Sequence, residues 1–134
     1  MSNWMDNFQE LCFLLNEIEG INRVLESDDS ITIQTVNEIT DFPLVIASFS
    51  GTGSVDNSYN RFIEGEGFVD IVIAVKIDET TDPNEAKLAV GSFVSLVLNS
   101  VRIIDYILDS TRIVYGDALI AGITCMSASF TIKK

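Results

Sequence analysis

The chain contains no histidine. This excludes Ser-His-Asp and Cys-His catalysis, HExxH sites and any zinc centre that depends on imidazole. Cations are scarce: 8 Lys and Arg stand against 20 Asp and Glu, for a net charge of -12. Neutralising phosphates needs clustered Lys and Arg, so nucleic acid is not expected as a direct ligand. The 2 cysteines, Cys12 and Cys125, are too few for a structural zinc centre without other ligands. Each lies in an apolar context, Leu-Cys-Phe and Thr-Cys-Met, which reads as a buried free thiol. A disulfide tying the first segment to the last is the other possibility. No basic start followed by a clean apolar run opens the chain, since Asp6, Glu10, Glu17 and Glu19 fall in its first stretch. The longest apolar stretch, Leu88 to Ile104, is interrupted by Gly91, Ser92, Ser95, Asn99, Ser100 and Arg102. It is expected to be too polar for a membrane span. The expectation is a soluble, cytoplasmic protein.

What is present is globular in character. The 134 residues are 47% hydrophobic and 21% charged, which suits one domain spanning 1–134. A chain of this size can remove roughly 68% of its unfolded surface from water.

Residues 3–19 predict an amphipathic helix, because Trp4, Phe8, Leu11, Leu15 and Ile18 recur at steps of four and three. Gly20 suits its stop, and helical character is expected to resume through Ile21–Leu25. Ile31–Val36 alternates and is β-branched, which predicts a strand. Leu44–Phe49 predicts another, opened by Pro43. Ser50–Ser58 reads as a flexible loop. The strongest strand signal covers residues 61–77, with Val69, Ile71, Ile73, Val75 and Ile77 on one parity. Gly65 and Gly67 suggest a bulge or bend before it. Asp82, Pro83 and Glu85 form a helix start, cap, first position and capping box in turn. That helix is expected to reach Ser100–Ile104. Ala86, Ala89, Val90, Phe93, Val97, Val101 and Ile104 share a broad stripe, but Leu88, Val94, Leu96 and Leu98 are apolar too, so a second partner surface is expected. Asp105–Thr111 is ambiguous. Arg112–Tyr115 predicts a short strand, Gly116-Asp117 a turn, and Ile123–Ile132 a closing strand. The element order implies an α+β fold: a mostly antiparallel sheet, with an N-terminal helix and a second buried helix packed on one face.

Candidate sites are few. Gly51-Thr52-Gly53 lacks the third glycine and following helix of a dinucleotide fingerprint. Glu64, Glu66 and Asp70 share a parity, so their carboxylates could line up for acid–base work or for Mg²⁺ or Ca²⁺. A solvated strand edge is the simpler reading of this acidic cluster. Tyr59, Arg61 and Phe62 suit a protein-interface anchor better than a nucleic-acid platform, which would need more positive charge. No cofactor and no enzyme activity are expected. Charge is uneven: residues 1–60 hold ten acids and one base, Arg23, for -9.

The whole-chain order resembles the tail terminator and head–tail joining proteins of long-tailed bacteriophages, including related small minor capsid proteins. Three stretches carry the resemblance: the helix Asn3–Glu19, the passage from Asn57 to Val75 that runs into the helix Asn84–Arg102, and the final strand Ser127–Ile132. The resemblance implies a ring, commonly a hexamer, that caps the tail tube and joins it to the head. It implies no enzyme activity. The partners would be other copies of the chain, the tail tube protein and connector proteins, with DNA passing through the ring unbound. The location would be the virion, assembled in the host cytoplasm. Tyr59, Arg61, Phe62, Leu96, Leu98 and Arg102 are the candidate interface residues. The rival class is a small α+β ligand-binding or immunity-type interaction module, with an apolar pocket behind Val69–Ile77.

Overall fold

The computed structural model describes residues 4–26, 36, 41–49, 54–56, 61–63, 68–109 and 112–133. The architecture is α+β: among the described residues, two helices lie on one face of a mostly antiparallel six-stranded sheet. Helix α1 is Trp4–Asn16. Strands β1 (Arg23–Leu25), β2 (Leu44–Phe49), β3 (Ser54–Asp56), β4 (Arg61–Ile63) and β5 (Phe68–Lys76) follow. Helix α2 is Pro83–Val101, continued by a 3-10 turn at Arg102–Ile104. Strands β6 (Ile107–Leu108), β7 (Val114–Ile120) and β8 (Ile123–Lys133) close the chain.

The long strands β5 and β8 form the centre of the sheet. They pair antiparallel from Phe68↔Lys133 to Lys76↔Cys125. Paired residues point to one face, so Val69, Ile71 and Ile73 meet Ile132, Phe130 and Ala128 beneath the helices. The parity expected for this strand is therefore observed. β2 lies outside β5, and β1 outside β2. On the other side, β6 and β7 share the free edge of β8, pairing with its end and its beginning.

α2 begins as its sequence demands. The Asp82 carboxylate accepts from the Asn84 amide at 3.0 Å, and Pro83 occupies the first turn. Ala86, Val90, Val94, Val97 and Val101 are buried along one stripe. They pack with Leu11, Cys12 and Leu15 of α1 over the sheet. From Pro83 to Ile104 the helical stretch is, by length and composition, long and apolar enough to cross a membrane. That corrects the expectation drawn from its small and polar interruptions, because these are offset by the many Val and Leu residues. The opposite face of the sheet carries a smaller cluster of Leu25, Phe42, Leu44, Ile46, Ala74 and Cys125, with Val36 packed into it. Both cysteines are free and buried.

Several local expectations are corrected. Residues 23–25 form β1, which pairs parallel with β2 from Arg23↔Leu44 to Leu25↔Ile46. Ile21, Val24 and Leu25 carry a helix-like spacing, but the open edge of β2 supplies hydrogen bonds that one isolated turn cannot. Arg23 is fastened there by the Asp41 carboxylate at 2.6 Å. Within the expected loop 50–58, Ser54–Asp56 pair with β4 as a two-stranded sheet. The long strand expected over 61–77 is two strands, β4 and β5, and Gly65 and Gly67 lie outside the described residues. So does the expected strand 31–36, except Val36. Gly116-Asp117 is no turn: both lie within β7, opposite Ser127 and Met126.

The β7–β8 turn is instead Ala121-Gly122, with φ of 53° and 79°. Two positive φ values match the I′ geometry that a two-residue hairpin favours. Gly122 accepts this without strain, whereas an L-alanine in the left-handed region costs roughly 1–2 kcal/mol. Asn tolerates that region better. Ala121→Asn should therefore raise stability by about 1 kcal/mol, read as a melting temperature about 4 °C higher for a domain of this size. An unchanged or lowered melting temperature would refute the strain.

Candidate interaction surface

Among the described residues, the exposed large hydrophobics are Leu88, Leu96, Ile103, Ile107, Leu108, Val114, Tyr115, Leu119 and Phe13. All but Phe13 belong to the segment from α2 to β7. Leu88 and Tyr115 line one cavity, and Ile107 and Leu108 line another.

The pattern has a structural cause. α2 buries one stripe on β5 and β8, Phe93 and Leu98 pack partly against the same core, and Leu88 and Leu96 are left exposed. Beside it, β6 and β7 form the sheet edge. Together the helix flank and the edge strands bound a trough with two cavities. The first, of about 730 Å³, lies between Asn84, Lys87, Leu88, Gly91, Ser92 and Ser95 on the helix and Tyr115 on β7. Tyr115 and Gly91 approach closely: a Cβ at Gly91 would lie 3.8 Å from the tyrosine Oη. The second, of about 320 Å³, is lined by Leu98, Arg102, Tyr106, Ile107 and Leu108. Among the described residues no carboxylate lines either cavity.

The expected interface residues divide. Leu98 and Arg102 come together in the second cavity. Leu98 is half-buried and also packs against the core. Leu96 is exposed and lines neither cavity. Arg61 and Phe62 lie in β4 opposite Asp56 and Val55, and Tyr59 lies outside the described residues. Sequence reasoning missed the β6–β7 side of the trough. Its signal was the apolar content of Ile107, Leu108, Val114 and Leu119, obscured by the expected turn at Gly116-Asp117.

Of the acidic cluster, Glu64 and Glu66 lie outside the described residues. Asp70 is exposed on β5, and its carboxylate accepts from the Thr131 hydroxyl at 2.7 Å across the β5–β8 pair. Among the described residues no group of three or more His, Cys, Asp or Glu could hold a metal ion. The Asp78 carboxyl is held below its ordinary value by hydrogen bonds from the Thr80 hydroxyl and amide and from the Thr81 hydroxyl. Its position is the turn before α2.

Behind the strand, Val69, Ile71 and Ile73 are at most 1% exposed, packed among α1 and α2 side chains. Burial also shapes the titration of three groups. It pushes the Cys12 thiol up to about 12, with the Glu26 charge adding to it. It pushes the Tyr106 hydroxyl to about 12, with smaller contributions from Cys12 and Glu10, and Cys125 to about 11. Neither thiol is an activated nucleophile, since activation requires a lowered pKa. Both belong to the packing. No protein-family model and no curated protein matches this chain.

Proposed function

We propose that this protein is a structural virion component of a long-tailed bacteriophage, a tail terminator or head–tail joining protein that forms a ring, hexameric by resemblance to that family. The ring caps the tail tube and connects it to the head. It acts by shape and charge complementarity and performs no covalent chemistry. The observation that carries this reading is the exposure of large apolar side chains on α2, β6 and β7, which suits lasting contact with other subunits. The α+β fold with both helices on one face agrees with the element order of the resemblance. The acids of the first sixty residues, ten against one base, suit a channel wall. A negative lumen repels phosphate, so DNA slides through without sticking.

Deleting the gene from its phage should yield particles in which filled heads and tails fail to join, or tails of irregular length. Electron micrographs showing normal virions would end the reading. A second reading, an α+β interaction or ligand-binding module, draws on the volume of the α2–β7 cavity, which is of ligand size. A saturable rise in melting temperature with a small molecule, abolished by Gly91→Trp, would favour it over the ring.

A further inference from the structure

Phe13 is the exposed aromatic that stands apart from the trough. It projects from α1 and is 67% exposed. Glu10 lies one turn before it at i−3 and is exposed, and the exposed Glu17 follows past the end of α1. α1 contains Asp6 and Glu10 and no Lys or Arg. The trough has the opposite character. Lys87 lines its first cavity, with the small residues Gly91 and Ser95 beside it on the helix, and no carboxylate lines it among the described residues.

We infer that the trough of one copy receives α1 of a second copy, with Phe13 seated over Gly91 and Ser95 and with Glu10 set toward Lys87. This is recognition of a helix in a groove. Donor and acceptor are different surfaces of the same chain, so the contact is heterologous. Repetition of a heterologous contact generates a ring when the rotation closes. The inference rests on the ring reading for its biological role and supplies that reading with a specific subunit contact.

The test is sedimentation velocity of the intact chain up to about 1 mM, a range in which even weak specific contacts populate. The wild type should form species larger than a dimer. Phe13→Asp and Leu88→Asp should each be monomeric with wild-type melting temperatures, since both side chains are exposed. An equimolar mixture of the two variants should form a dimer and nothing larger. The Leu88→Asp chain still donates an intact α1, and the Phe13→Asp chain still offers an intact trough. Lys87→Glu should weaken association by roughly three- to five-fold at low salt, and Glu10→Lys in the same chain should restore it. A monomeric wild type, a Phe13→Asp variant that assembles normally, or a mixture that stays monomeric would each overturn the contact. Those results leave the gene-deletion outcome untouched, so failure of this interface and failure of the ring reading are told apart.

Discussion

Val97→Asp should leave the chain unfolded at 25 °C, while Leu96→Asp, one residue earlier, should fold with nearly unchanged stability. Val97 is 0% exposed in the cluster between α2 and the sheet, and Leu96 is 45% exposed. An aspartate at position 97 would meet Val, Leu and Ile side chains with no cation among the residues packed there. An uncompensated buried charge costs roughly 3–5 kcal/mol, and the lost packing adds to it. Domain stability is typically about 5–15 kcal/mol, so most or all of it is removed. A surface change such as Leu96→Asp stays within about 0.5 kcal/mol. Circular dichroism and urea titration of the two variants decide the matter. A cooperative transition in Val97→Asp close to wild type would show that the α2 stripe is not the core.

The second large effect is alkaline unfolding. Cys12, Cys125 and Tyr106 are buried in their neutral forms, with values raised to about 12, 11 and 12 from 9.0, 9.0 and 10.0. In each case the unfolded chain ionises first and the folded chain resists. Above pH 9 the unfolded state therefore binds fewer protons than the native state, and stability falls as pH rises. The stabilisation is fully present below pH 9 and is progressively lost toward pH 12. The melting temperature should be level from pH 7 to 8.5 and drop steeply above pH 9. Cys12→Ala should flatten the first part of that descent while lowering the plateau, because it removes the largest upward shift along with some packing. An equally steep descent in Cys12→Ala would refute the assignment. In the folded protein at neutral pH neither thiol should react with a disulfide reagent, and both should react after denaturation.

Much of the fold is legible in the residues. The alternation of Val69, Ile71 and Ile73 and of Met126, Ala128, Phe130 and Ile132 announces two half-buried strands, and these strands are the paired centre of the sheet. Asp82 and Pro83 announce the start of α2, and the Asp82 cap is formed. These signals are local: periodicity and capping act within a few residues of one another. β1 and β7 were misread for the opposite reason. Ile21–Leu25 looks helical in isolation and Gly116-Asp117 looks like a turn. Their conformation is decided by pairing with β2 and β8, whose positions a local reading does not contain. The candidate surface divides in the same way. The surplus of leucines on α2 announced that some of its apolar side chains are left outside the core, as Leu88 and Leu96 are. That Leu98 and Arg102 meet Tyr106 and Ile107, and that Tyr115 closes on Gly91, depends on the sheet edge lying beside the helix.

By itself the sequence determined what chemistry is out of reach. With no histidine, imidazole catalysis is excluded by composition, which no folding can alter. It also determined the fold class, because binary patterning is written residue by residue. Only the tertiary structure decided where the unburied apolar side chains gather. Exposure is a property of what covers a residue, and here the covering elements come from distant parts of the chain. Leu11 and Leu15 close over one part of the sheet, while Leu88, Ile107 and Val114 are left uncovered along the other edge.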